Sequence, residues 1–213
     1  MMVPEIILAS ASARRAALLE QIDLPFRTHP SALGDDGEAR RAGETAEACA
    51  RRLALAKASE VAAAERRGLV IGADTVVTFG GRVLGKPRDR AEAQAFLVSL
   101  AGRTHRVITG IAVVEAATGR AAVGAAVTRV TMRPFDAEEA ARYVATGEPM
   151  DKAGAYGIQG RGALLVDGIQ GDYFNVVGLP LVLLAALLRR FGVDAWSAQA
   201  ARRHRVVGPA RRP

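Results

Sequence analysis

The sequence predicts an α/β fold built on a mixed central β-sheet with flanking helices. Three observations carry that expectation. Short apolar runs alternate along the 213 residues with segments of helical period, two of these runs are joined at Gly80-Gly81 in the manner of a hairpin, and half of the chain is apolar, enough for a sizeable core. Hairpins make some strand pairs antiparallel, so the sheet is mixed and not purely parallel.

Residues 3 to 9 read as a buried strand, 12 to 22 as a helix, and "PFRTHP" as a short extended segment. "GETAEACARRLALAKASEVAAAERRG" is a long helix: Thr45 is placed to cap it, Glu47 and Arg51 are spaced for an i,i+4 pair, and Ala46, Cys49, Leu53 and Ala56 trace an apolar face. "LVIGADTVVTFGGRVLG" supplies the hairpin. A helix around 89 to 100 precedes two long β segments near 105 to 116 and 122 to 133, and "DAEEAARYVATGE" is a helix with Asp136 as its cap. A glycine-rich stretch from 154 to 171 leads to the last helix, 180 to 191, closed by Gly192.

Neither an internal repeat nor a linker is visible before the tail, so we expect one domain over residues 1 to 193 and a basic tail over 194 to 213. That tail carries five arginines and one aspartate, so +4 of the formal +7 lies there and the body is only weakly basic. A solvated appendage is the expected reading of such a tail, a polyanion-binding arm the alternative, and nucleic acid is not an expected partner of the body. No apolar run reaches the roughly 18 residues of a membrane span, and the N-terminus lacks a signal pattern. The expectation is a soluble, cytoplasmic protein with no membrane partner. Cys49, the single cysteine, excludes an intramolecular disulfide framework and a cysteine-based zinc cluster, and reads as a small core residue.

Several motifs fail on inspection. "GGRVLGKP", residues 80 to 87, puts Pro87 where a phosphate-binding loop needs a hydroxyl, although Lys86 remains a candidate charge for phosphate. There is no G-x-G-x-x-G after a strand and no G-x-S-x-G. His29, His105 and His204 lie far apart with no carboxylate or cysteine at ligand spacing, so a divalent ion would have to be held by carboxylates and substrate phosphates.

Three segments carry chemistry. In "IILASASARRAALLEQ", Ser10, Ser12, Arg14 and Arg15 stand where a strand gives way to a helix, offering free backbone N–H groups, hydroxyls and guanidiniums to a phosphate. The plainer reading is that Ser12 only caps the helix and the arginines are solvated. In "VIGADTVV", Asp74 interrupts a buried run, which is costly unless the carboxylate is paired, bound to metal, or facing a cleft. Lys86 lies twelve residues on, across the hairpin, and Lys57 borders the apolar face of the long helix, able to snorkel outward or to point toward phosphate. In "DKAGAYGIQG", the amide of Gln159 offers a donor and an acceptor, a pair that matches N3–H and O4 of uracil or thymine.

With "LASASARRAALLEQ", "GETAEACARRLALAKA", "GADTVV", "LGKPRDRAEAQAFLVSLAGRTHRVITG" and "YVATGEPMDKAGAYGIQGRGALLVDGIQGDYFNVVGLP" in this order, the chain resembles the Maf family of nucleoside triphosphate pyrophosphatases, relatives of the inosine triphosphatases, from residue 6 to about 190. The resemblance implies two lobes around a cleft and hydrolysis of a nucleoside triphosphate between its α and β phosphates. It places the catalytic aspartate, as general base or metal holder, on Asp74, and phosphate handling on Ser10, Arg14, Arg15, Lys57 and Lys86. Asp74-Thr75 and Gln159 fall on the dTTP/UTP branch, with Arg14, Thr75 and Gln159 assigned to substrate choice. The cofactor it implies is a divalent cation, Mg2+ or Mn2+, held by Asp74 and by an acidic residue in "SALGDDGE", best matched by Asp35, with Asp36 and Glu38 as alternatives. Ala13 stands where the family usually has Pro, which removes a pre-set helix start but no chemistry. A nucleotide-binding regulator of cell division without hydrolysis is the competing reading, and a homodimer is left open.

Overall fold

The computed structural model describes residues 4–33 and 41–196. Its strands are β1 (Ile6–Leu8), β2 (Arg27–Thr28), β3 (Leu69–Phe79), β4 (Arg82–Leu84), β5 (Thr104–Glu115), β6 (Ala121–Met132) and β7 (Val166–Gln170). Its α-helices are α1 (Ala13–Gln21), α2 (Ala46–Ala64), α3 (Arg90–Leu100), α4 (Ala137–Ala145), α5 (Tyr173–Val177) and α6 (Leu181–Arg189), with 3-10 turns at Glu148–Asp151, Ala153–Ala155 and Gly160–Leu165. The sheet runs β2-β1-β3-β5-β6-β7, and β4 pairs with β3 off that path. β1 is parallel to β2 and β3, and every other pair is antiparallel. The mixed α/β sheet is therefore as the sequence predicts.

Side-chain alternation along the long strands divides the interior. Ile71, Ala73, Ile111 and Val113 pack with Leu18 and Leu19 of α1 and Leu184 and Leu188 of α6. Val70, Ala112 and Val114, on the opposite face, pack against Ala54, Ala58 and Val61 of α2. Toward the other end of the sheet, Val77, Val107 and Val130 join Leu97 of α3 and Tyr143 of α4 in a separate core. The long strands thus tie together two packed halves.

Small residues bring α2 down onto the sheet. A Cβ placed on Gly72 would lie 2.2 Å from the Ala54 carbonyl oxygen, and one on Gly110 would lie 2.2 Å from that of Ala50, so only glycine admits the helix at this depth. The apolar face of α2 is consequently turned from the predicted one: Cys49, Ala50, Leu53, Ala54, Ala58, Val61 and Ala62 are buried, whereas Ala46 and Ala56 are only partly covered. The Thr45 and Asp136 side chains accept from the N–H of Ala48 and Glu139 as predicted, each such cap being worth about 1 kcal/mol. Gly80 and Gly81 take φ of 56° and 78°, the left-handed pair that a two-residue hairpin turn requires.

Two elements lie where the sequence shows only a glycine-rich stretch and its neighbour. β7 is a mostly exposed edge strand without a clean alternation, and α5 is five residues long, too short for a helical period to register.

Candidate active site

β3 is left open along part of one edge. β1 pairs with Leu69–Ile71 and β4 with Val77–Phe79, so between them Gly72–Val76 has no strand neighbour on that edge among the described residues. A cleft of about 650 Å³ lies against this gap. Among the described residues it is lined by five cationic residues, Arg14, Arg15, Lys57, Lys86 and Lys152, against two acidic ones, Asp74 and Asp151. The balance suits a polyanion.

Asp74 and Thr75 are successive strand residues and so leave β3 on opposite faces. Asp74 turns to α2, where Lys57 Nζ donates to its Oδ1 at 2.7 Å; the two side chains are 14% and 8% exposed for Lys57 and Asp74 respectively. Asp74 Oδ2 has no hydrogen-bond partner among the described residues. Lys57 therefore points along the sheet into the cleft and does not snorkel outward. The close seating of α2 on Gly72 and Gly110 is what lets a side chain one turn beyond Leu53 reach this carboxylate.

Thr75 faces the other way, toward α1 and α5. Arg15 donates from Nε to the Gly178 carbonyl oxygen at 2.9 Å, from NH1 to Ser10 Oγ at 3.1 Å, and from NH2 to Thr75 Oγ1 at 3.3 Å. Ser10 Oγ also accepts from the Ser12 N–H at 3.2 Å, which folds the β1–α1 turn onto itself. Ser12 stands at the N-cap of α1 but its side chain caps nothing, so the plainer reading of this turn does not hold. Residues 9 to 15 all line the cleft, with the first turn of α1 among them.

Arg14, one position earlier, crosses the cleft. Its NH1 donates to Asp151 Oδ2 at 2.9 Å, and Asp151 Oδ1 accepts from Lys152 Nζ at 2.7 Å. Burial pushes the Asp151 carboxyl up, but the hydrogen bonds from Lys152 and Arg14 more than offset it and hold the group below its ordinary value.

Lys86 and Gln159 both line the cleft, so the structure brings Ser10, Arg14, Arg15, Lys57, Asp74, Thr75, Lys86 and Gln159 to one place. Asp35, Asp36 and Glu38 lie outside the described residues. The segment that carries Gln159 is held by Glu148, whose carboxylate accepts from the N–H of Arg161 and Gly162 at 3.0 Å each and from Tyr143 Oη at 2.9 Å. Tyr143 Oη in turn accepts from the Gly157 N–H at 3.2 Å. Tyr156, which also lines the cleft, is fixed from beneath by His105 Nε2 at 2.7 Å. Sequence reasoning passed over Tyr156 and the residues behind Arg15; the "AYG" of the third segment was the only signal for the former, and nothing local marks the latter.

A family model described as Maf-like protein matches residues 5–191, from the strand before the arginines to the end of α6. The chain belongs to the Maf family. Relatives named dTTP/UTP pyrophosphatase include one from Moorella thermoacetica, 56% identical over 192 residues, covering 90% of this chain and 97% of the relative. Another, from Myxococcus xanthus, is 49% identical over 91% of this chain and 96% of its own length, and one from Thermococcus gammatolerans is 47% identical over 90% and 99%. The Maf match ends before the basic tail. Among the described residues no helix is long and apolar enough to cross a membrane.

Proposed function

We propose that this Maf-family protein hydrolyses dTTP and UTP between the α and β phosphates, releasing the monophosphate and pyrophosphate. The observation that carries the reading is Asp74: a carboxylate fixed at one oxygen by Lys57, with its other oxygen unpartnered among the described residues, in a cleft lined by cations from four separate segments. The names of the relatives agree with it.

Asp74 Oδ2 accepts a proton from the attacking water, while the bond from Lys57 to Oδ1 holds the carboxylate in place. As the water oxygen bonds to phosphorus, the bridging P–O bond breaks and its electron pair leaves on pyrophosphate. Arg14, Arg15 and Lys86 hold that charge, with N–H groups of the first turn of α1 alongside. The Gln159 amide reads N3–H and O4 of the pyrimidine.

The donor set suits a divalent cation. Mg2+ is usually bound by one or two carboxylates together with substrate phosphates. Among the described residues no group of three or more His, Cys, Asp or Glu could cage an ion, whereas the Asp74 carboxylate offers one ligand, and Asp35 is our second. Bound there, Mg2+ or Mn2+ would neutralise phosphate charge as the anhydride opens.

The test is a panel of UTP, dTTP, CTP, 7-methyl-GTP and ITP with Mg2+, scored for pyrophosphate. Turnover of UTP and dTTP above the rest is expected, and Asp74→Asn should lower kcat by about 10²–10³-fold, the usual loss when one preorganised electrostatic group is removed, in a variant shown by its melting curve to be folded. Binding without pyrophosphate release would favour the regulator reading. Full activity in Asp74→Asn would end the assignment.

A further inference from the structure

The segment "GDYFNVVGLP", residues 171 to 180, is left without a task by this mechanism, and Thr109 and Asn175 lie wholly buried and do not line the cleft. We propose that Thr109 and Asn175 are positioning residues that set the place of Arg15 and Thr75, so that the phosphate and specificity apparatus extends through the sheet to the strand beyond. The inference rests on the pyrophosphatase reading for its kinetic consequences, though not for its geometry.

The direction of the protons decides the argument. Thr109 Oγ1 donates to the Asn175 carbonyl oxygen at 2.9 Å. A hydroxyl has a single proton, so the 2.9 Å contact between Thr109 and Thr75 is made by the Thr75 hydroxyl donating. Thr75 Oγ1 is then left with lone pairs only, and these accept from Arg15 NH2 at 3.3 Å. The relay runs one way, from Arg15 through Thr75 and Thr109 to the backbone of Asn175. Thr75 has no proton left for a phosphate oxygen; it acts by holding Arg15.

Asn175 fixes the far end. Its Oδ1 accepts from the Thr109 N–H at 3.0 Å, and its Nδ2 donates to the Val107 carbonyl oxygen at 3.0 Å and to Thr128 Oγ1 at 2.9 Å, which bridges β5 and β6. Thr128 is also tied to the residue that starts α5, through Asp172 N–H and C=O. One end of α5 is thereby locked to the sheet. At its other end Gly178, with φ of 123°, presents the carbonyl oxygen that takes Arg15 Nε. Asn175 thus governs two of the three Arg15 contacts described above, one through hydroxyls and one through a helix.

The test compares Thr109→Val, which keeps the shape and removes the hydroxyl, with Thr109→Ser, which restores it, alone and combined with Thr75→Val. Loss of one such hydrogen bond should lower kcat/KM for dTTP by about tenfold in each Val variant. The double Val variant should be no worse than either single one, and Thr109→Ser should recover most of the loss. A second measurement needs no turnover: the Arg15 Nε–H resonance, assigned by its disappearance in Arg15→Lys, should move in Thr109→Val and stay in Thr109→Ser. An unmoved resonance in Thr109→Val, or losses that multiply in the double variant, overturns the proposal. A wild-type protein that releases no pyrophosphate would overturn the proposed function instead, with the resonance still deciding the positioning role.

Discussion

Arg14 and Arg15 leave α1 from adjacent positions and enter two different kinds of wall. Arg15 enters the sheet-side wall, where Thr75, Thr109, Asn175 and Thr128 bond to one another and to backbone, and no member of the set titrates. Arg14 meets the loop-side wall, where its partner Asp151 is shared with Lys152 and the Arg14–Asp151 pair stays 33% and 65% exposed. That wall also rests on Glu148, Tyr143 and the His105–Tyr156 pair, all of them titratable. A buried, fully bonded set holds a charge at a fixed place; an exposed ion pair holds it only until a stronger anion arrives. The same residue type, one position apart, is therefore built for geometry in one case and for exchange in the other.

Acid should break the loop-side wall first, and this is the largest effect expected. Burial holds His105 down to about 4, from an ordinary 6.5. As pH falls from 6.5 toward 4 the unfolded chain takes up a proton that the folded chain refuses, so stability is lost across that window, by about 3 kcal/mol in all. Urea unfolding at pH 7 and pH 4.5 should show a steeper decline for the wild type than for His105→Gln. Equal declines would mean that the histidine is not what the wall depends on. His105 Nδ1 is also the buried side-chain atom among the described residues that finds no partner, which is consistent with a site tolerant of the neutral ring only.

Arg15→Lys comes next. A lysine keeps the charge but cannot make the forked contacts to Gly178, Ser10 and Thr75, so kcat/KM for dTTP should fall by about a hundredfold. Arg14→Lys keeps a point charge where exchange is the task, and a loss of about tenfold is expected. If the two losses are equal, the contrast between the walls has no functional meaning.

Asp151→Asn is the smallest. Asp151 competes with phosphate for Arg14, and an exposed pair is worth at most about 1 kcal/mol, so we expect KM to fall about threefold, kcat to hold, and the difference to shrink at high salt. A fall in kcat of the size expected for Asp74→Asn would place Asp151 in the chemistry and not merely beside Arg14.

Much of the fold was legible locally. Thr45 and Asp136 announce their helices because a cap is a contact between residues three apart, and Gly80-Gly81 announces its turn because only glycine accepts two left-handed residues in a row. Asp74 stood out because a carboxylate in a buried run demands an explanation. Thr109 did not, since threonine is an ordinary strand residue, and Asn175 lies in a helix too short to show a period. Their importance comes from contacts 66 residues apart in the chain, and no window of sequence contains both ends. The orientation of α2 was misjudged for a related reason: its buried face follows from where Gly72 and Gly110 open space beneath it, and that is a property of the sheet.

The residues alone determined the alternation of strands and helices, the family, and the kinds of group available to a triphosphate, because periodicity, capping and side-chain chemistry are local. Folding decided which of two neighbouring arginines is locked and which is exchangeable. It also decided that Asp74 and Thr75 lie on opposite faces of one strand, and that the cleft opens where β1 has stopped pairing with β3 and β4 has not yet begun. Those outcomes depend on strand register and on packing between distant segments, and register becomes fixed only when the whole sheet has formed.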